Sequence, residues 1–104
     1  MKENLLKIIN YYGVMPQLKY FQSEVFELNE AIIKFENHDF GEFKKNKNMF
    51  TKDIIEEIAD VMVMLEQFRI YYGIDIGEVG GVMNKKIKRQ LERINNEKVM
   101  EDKW

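Results

Sequence analysis

With 104 residues, 45% of them apolar and 33% charged, the chain is too short for two ordinary domains and too apolar to stay disordered, which leaves one packed core. The absence of cysteine and the single His38 exclude disulfides, a thiolate nucleophile and a multi-histidine site, so any metal must be held by oxygen. A formal charge of −2 argues against a nucleic-acid polymer as partner, and acids interrupt every apolar stretch before the roughly 20 residues of a bilayer span.

No secretory pattern is read at the N-terminus, and a cytoplasmic address is expected. Apolar residues recur at three- and four-residue steps and no period-two strand pattern appears, so the expectation is an all-α protein. A first helix is predicted over 1–12, with Leu5, Leu6, Ile9 and Tyr12 on its apolar side and Gly13 as its stop. Pro16 suits the first turn of a second helix over 16–36. Leu18, Phe21, Val25, Leu28, Ile32 and Phe35 form its seam, while Phe26 and Ile33 lie off that seam and offer a second apolar surface for another subunit.

Residues 37–51 contain Gly41 and the polar run Lys44-Lys45-Asn46-Lys47-Asn48, and are expected to be the longest connection. Thr51 is placed as the cap of a third helix over 52–72, with Ile54, Ile58, Val61, Leu65, Phe68 and Tyr72 on its main stripe. Gly73 ends it. Asp75-x-x-Glu78 resembles a capping box that opens a basic fourth helix over 75–97, with Ile76, Val79, Met83, Ile87, Leu91 and Ile94 inward. These elements predict a four- to five-helix antiparallel bundle, one domain over 1–104, assembled as a dimer or a dimer-of-dimers tetramer.

Two carboxylate pairs, Glu24-x-x-Glu27 and Glu57-x-x-Asp60, sit inside the strongly apolar second and third helices. At 100° per residue, Glu24 falls roughly 60° and Glu57 roughly 50° from the centre of its helix's predicted stripe, so both border the core. Glu30 and Glu56 point the other way. A single Glu-x-x-Glu is ordinarily a solvated face, but two pairs bordering the cores of successive helices can converge on one wall, where like charges repel unless cations neutralise them. Hard carboxylate oxygens suit Mg²⁺, with Mn²⁺ as a substitute, and Mg²⁺ is usually shared with substrate phosphates. A di-iron bundle would need histidines that the chain lacks.

The segments Tyr11-Tyr12-Gly13-Val14-Met15-Pro16-Gln17-Leu18, Ser23-Glu24-Val25-Phe26-Glu27-Leu28 and Glu56-Glu57-Ile58-Ala59-Asp60-Val61 resemble the MazG-like, all-α nucleoside triphosphate pyrophosphohydrolases. The later stretch Lys86-Ile87-Lys88-Arg89-Gln90-Leu91-Glu92-Arg93-Ile94 is similar to the basic helix of the short members from phages and Gram-positive bacteria. Two departures are Ser23, where members often carry a further Glu, and the 29 residues between Glu27 and Glu57, a longer connection than many members have.

The resemblance implies Mg²⁺-dependent cleavage of a nucleoside triphosphate between its α and β phosphates, giving the monophosphate and pyrophosphate. It implies metal binding by Glu24, Glu27, Glu57 and Asp60, with Glu24 or Glu27 taking the proton of the attacking water. It further implies triphosphate binding by Lys86, Arg89 and Arg93, with Asn84 on the same wall and Gln17 on the base or sugar. The competing expectations are a non-enzymatic helical interaction module and a nucleotide sensor that does not cleave.

Overall fold

The computed structural model describes residues 1–38 and 44–102, and every secondary-structure element among them is an α-helix. Helix α1 spans Lys2–Tyr12, α2 Val14–Asn37, α3 Lys44–Tyr71 and α4 Ile76–Asp102. The chain forms two compact units divided at Tyr72 and Gly73, the first built from α1 to α3 and the second from α4.

Gly13 alone separates α1 from α2. Its amide donates to the Ile9 carbonyl and closes α1, while its own carbonyl accepts from the Gln17 amide and opens α2. The turn requires φ of +90°, which an L-residue with a Cβ adopts only under strain. Pro16 falls in the first turn of α2, where its missing N–H has no helical partner to lose.

In the first unit α3 packs against both other helices, and among the described residues Leu5, Ile9 and Met64 are its buried apolar side chains. Phe21 of α2 meets Phe68 of α3 edge to face, with ring centres 5.7 Å apart. The buried stripes are rotated from those read off the sequence. On α2 the innermost residues are Gln17 and Glu24, flanked by Phe21, Leu28 and Phe35, while Leu18 and Ile32 are exposed. On α3 Ile54, Glu57, Val61, Met64, Gln67 and Phe68 turn inward, Ile58 and Leu65 of the expected stripe face outward, and Tyr72, just past the helix, is exposed. Each stripe has moved by roughly 50° at 100° per residue. The reason is that both helices are apolar around much of their circumference, so several stripes fit the spacing equally well. Phe26 and Ile33 are exposed as expected, at 61% and 56%.

Two further corrections concern α3 and α4. The polar run from Lys44 is helical rather than part of a connection, and Thr51 lies inside α3, its hydroxyl donating to the Lys47 carbonyl one turn back at 2.9 Å. With Lys a good helix former and no Gly or Pro from 44 to 71, nothing there halts a helix. The middle of the expected connection, 39–43, lies outside the described residues. Gly73 does end the turn after α3, at φ of +66°, and Asp75 caps α4 by accepting from the Glu78 amide at 3.3 Å. On α4 the expected inward residues Ile76, Met83, Ile87, Leu91 and Ile94 are exposed. Among the described residues no helix is long and apolar enough to cross a membrane.

Candidate metal centre

Helices α2 and α3 run antiparallel, and their pairing sets the site. Gln17 meets Gln67 at one level, and seven residues on along α2 Glu24 meets Asp60, seven residues back along α3. Seven residues are close to two helical turns, so the amides and the acids lie on the same faces of their helices.

Glu24, Glu57 and Asp60 each bring one carboxylate oxygen within 4.8 Å of the others. They descend in burial: Glu24 is 4% exposed, Glu57 is half-buried and Asp60 is open to solvent. Glu27, one turn beyond Glu24, is exposed and stands outside this trio, but its carboxylate shares a hydrogen bond with Glu57. Of the four acids singled out by spacing, three are thus gathered and the fourth stands beside them.

The electrostatics follow from this crowding. Burial pushes the Glu24 carboxyl above the usual carboxylate range, the charges of Glu27 and Asp60 push it further, and a hydrogen bond from the Tyr20 hydroxyl opposes them. Glu57 is raised by burial first, then by the charges of Glu27, Asp60 and Glu24, and by a side-chain interaction with Glu27. The Tyr20 hydroxyl is raised in turn, chiefly by its hydrogen bond to Glu24 and that residue's charge. Among the described residues, the groups that shift Glu24 and Glu57 are acids and the Tyr20 hydroxyl.

Oxygen Oε2 of Glu24 and Oε2 of Glu57 are sealed from solvent and have no hydrogen-bond partner. A buried carboxylate oxygen in that condition costs several kcal/mol if charged, so it requires a proton or a cation. An all-carboxylate donor set meets the preference of Mg²⁺ or Mn²⁺, and the residues present therefore fit such an ion. By contrast Glu66 is neutralised within its own helix, its carboxylate accepting from Arg69 at 2.6 Å, which holds it below the usual range.

Beside the acids, α1, α2 and α3 border a half-open pocket of about 500 Å³ whose wall includes Tyr12, Gln17, Tyr20, Asp60, Met64 and Gln67. Gln17 is 7% exposed and its side-chain amide donates to Oε1 of Gln67, itself 3% exposed, at 2.7 Å. Gln67 and Tyr20 were not singled out from the sequence. Tyr20 precedes Glu24 by one turn and Gln67 follows Asp60 by two, a spacing that alone does not separate site from core or surface.

Lys86, Arg89 and Arg93 lie on α4, exposed, within about 60° of one another by helical rotation, and Asn84 lies roughly 170° from their centre. All four belong to the second unit, where Lys86 also borders an apolar groove of about 440 Å³ with Val79, Val82 and Met83. No family model matches the chain, and neither a curated protein nor a solved structure does.

Proposed function

We propose that this protein is a Mg²⁺-dependent, MazG-like nucleoside triphosphate pyrophosphohydrolase that cleaves between the α and β phosphates, releasing a monophosphate and pyrophosphate. The observation that carries the reading is the trio Glu24, Glu57 and Asp60 within 4.8 Å, with two sealed carboxylate oxygens that have no hydrogen-bond partner among the described residues. Such a group of acids serves a phosphate-bearing substrate only through cations, and the buried Glu24 and the sealed oxygen of the half-buried Glu57 set it apart from ordinary surface charge.

In this reading Glu24, Glu57 and Asp60 hold the cation, which when bound offsets phosphate charge and makes water more acidic. Glu27, exposed and beside the trio, takes the proton of the attacking water, while Glu24 is committed to the ion. The Tyr20 hydroxyl orients Glu24. Lys86, Arg89 and Arg93, exposed on α4, offer donors of the kind that suit phosphate oxygens. Asn84, on the other side of α4, is the least suited of the proposed contacts. A substrate drawn from the nucleotide pool fits work in the cytoplasm.

The reading includes a homo-oligomer, supported by the exposed apolar residues of α3, Ile55, Ile58, Met62 and Leu65, at helical spacing on one face. That face also suits a non-enzymatic interaction module, which predicts no pyrophosphate release. The deciding measurement is pyrophosphate production from each common nucleoside triphosphate with Mg²⁺, for the wild type and for Glu57→Gln and Asp60→Asn. We expect turnover in the wild type to fall by at least a hundredfold in both variants. Equal turnover in all three would remove the acids from the chemistry.

A further inference from the structure

Helix α3 carries a second apolar stripe, on the side away from the interior of its unit. Ile55, Ile58, Met62 and Leu65 are all exposed, follow one another at three- and four-residue steps, and fall within about 80° of one another by helical rotation. That is the pattern of a helix-pairing seam. One edge of the stripe continues into the half-buried Ile54, Val61 and Phe68, and the other edge carries Lys52, Ala59 and Glu66. A continuous exposed stripe of this kind marks an interaction surface, and the residues on its flank say what it pairs with.

The face is complementary to itself when turned end for end. Ile55 and Leu65 lie five residues either side of position 60, and Ile58 and Met62 two residues either side. A two-fold rotation about that point sets Ile55 against the partner's Leu65 and Ile58 against the partner's Met62, giving four apolar layers. The flank obeys the same symmetry. Lys52 and Glu66 lie seven residues either side of Ala59, so each lysine comes opposite the partner's glutamate, and alanine, the smallest side chain on the flank, comes opposite alanine. Glu66 already accepts from Arg69, but a carboxylate has about four acceptor sites, which leaves capacity for a second cation. A parallel pair would instead set this flank against Ile54, Val61 and Phe68 of the partner subunit, side chains that pack inside their own unit, and would leave both charges unmatched.

We infer that this face docks on a second copy of the chain through an antiparallel α3 pair, with its two-fold axis beside Ala59 and reciprocal Lys52–Glu66 ion pairs at both ends. That the protein assembles at all rests on the reading above, while the symmetry and register rest on the residues of the face. By helical rotation Glu57 and Asp60 lie roughly 120° and 180° from the centre of the stripe, so pairing leaves the acids of each copy uncovered.

The chain has no cysteine, so one introduced thiol is unique. With a short bis-maleimide, Ala59→Cys should link readily into a covalent dimer. Ile55→Cys, whose two copies stand about 15 Å apart along the pair at 1.5 Å per residue, should link at least tenfold more slowly. Charge gives an independent measurement. Lys52→Glu and Glu66→Lys should each weaken association about tenfold in sedimentation equilibrium at low salt, because each sets like charges opposite one another. An equimolar mixture of the two restores both ion pairs and should recover the wild-type affinity, although the Arg69 pair is lost in one of them. If the wild type sediments at twice the chain mass but the mixture associates no better than either variant alone, or Ile55→Cys links as fast as Ala59→Cys, the oligomer stands and this pairing does not. A wild type that sediments as one chain at every concentration would remove both.

Discussion

Glu24 concentrates the problem this protein has to solve, because it is nearly sealed and surrounded by other acids. Its raised pKa, like that of Glu57, means that the folded state prefers the protonated form more than the unfolded chain does. The sign is then opposite to that of a salt-bridged acid. The favourable contribution is complete below the ordinary value of 4.5 and is lost as pH rises through the elevated folded-state value. In EDTA at pH 7, Glu24→Gln should therefore raise the Tm by about 4 °C, and the gain should vanish toward pH 4. A Tm that falls at pH 7 would mean that the carboxylate stabilises the cation-free fold. The same hydroxyl that opposes the rise in Glu24 gives a second measurement. Tyr20→Phe should weaken Mg²⁺ binding by roughly tenfold in a calorimetric titration, and unchanged affinity would show that the hydroxyl does not orient the acid. Glu24 and Glu57 were legible in the sequence because acids inside apolar helices stand out. Gln67 and Tyr20 were not, since an amide or a phenol at helical spacing is compatible with core, surface or site, and only pairing across helices distinguishes them.

At the scale of elements, the helices were legible because Gly13, Gly73 and Asp75 have strong local chemistry, and each acts at a helix end as that chemistry requires. Which face of α2 and α3 turned inward was not, because apolar residues border the acids on both sides. The face chosen turns Glu24 and Glu57 inward, so apolar patterning alone does not set it. The start of α3 was missed for a different reason: periodicity detects a buried stripe, and a helical turn made of Lys and Asn has none. Gly13 allows a direct check of the junction between α1 and α2. A Cβ there would meet only Pro16, at 3.5 Å, so the cost of Gly13→Ala is set by backbone strain at positive φ rather than by a clash. It should lower stability by about 1 to 2 kcal/mol in urea denaturation. A change within about 0.3 kcal/mol would indicate that the junction relaxes to another conformation.

For the molecule as a whole, the all-α class was legible from composition and spacing, whereas assembly is a property of surfaces that one chain's periodicity leaves open. The exposed residues Ile58 and Leu65 lie one face away from the buried acids. Ile58→Glu together with Leu65→Glu should leave helix content intact by circular dichroism while reducing the mass seen in light scattering to that of a single chain, 12.5 kDa. A wild type that already scatters as one chain would discard the oligomer. The antiparallel register between Gln17–Gln67 and Glu24–Asp60 reaches further than either pair alone. One residue inserted between positions 17 and 24 would swing everything beyond it by about 100° and disengage one pair while the other stayed in place. Natural variation in length should thus be excluded from this stretch of α2 and from its counterpart on α3, and confined to the ends of the helices. The interval behaves as a ruler, tolerant of exchange at its outward positions but not of any change in its number of divisions.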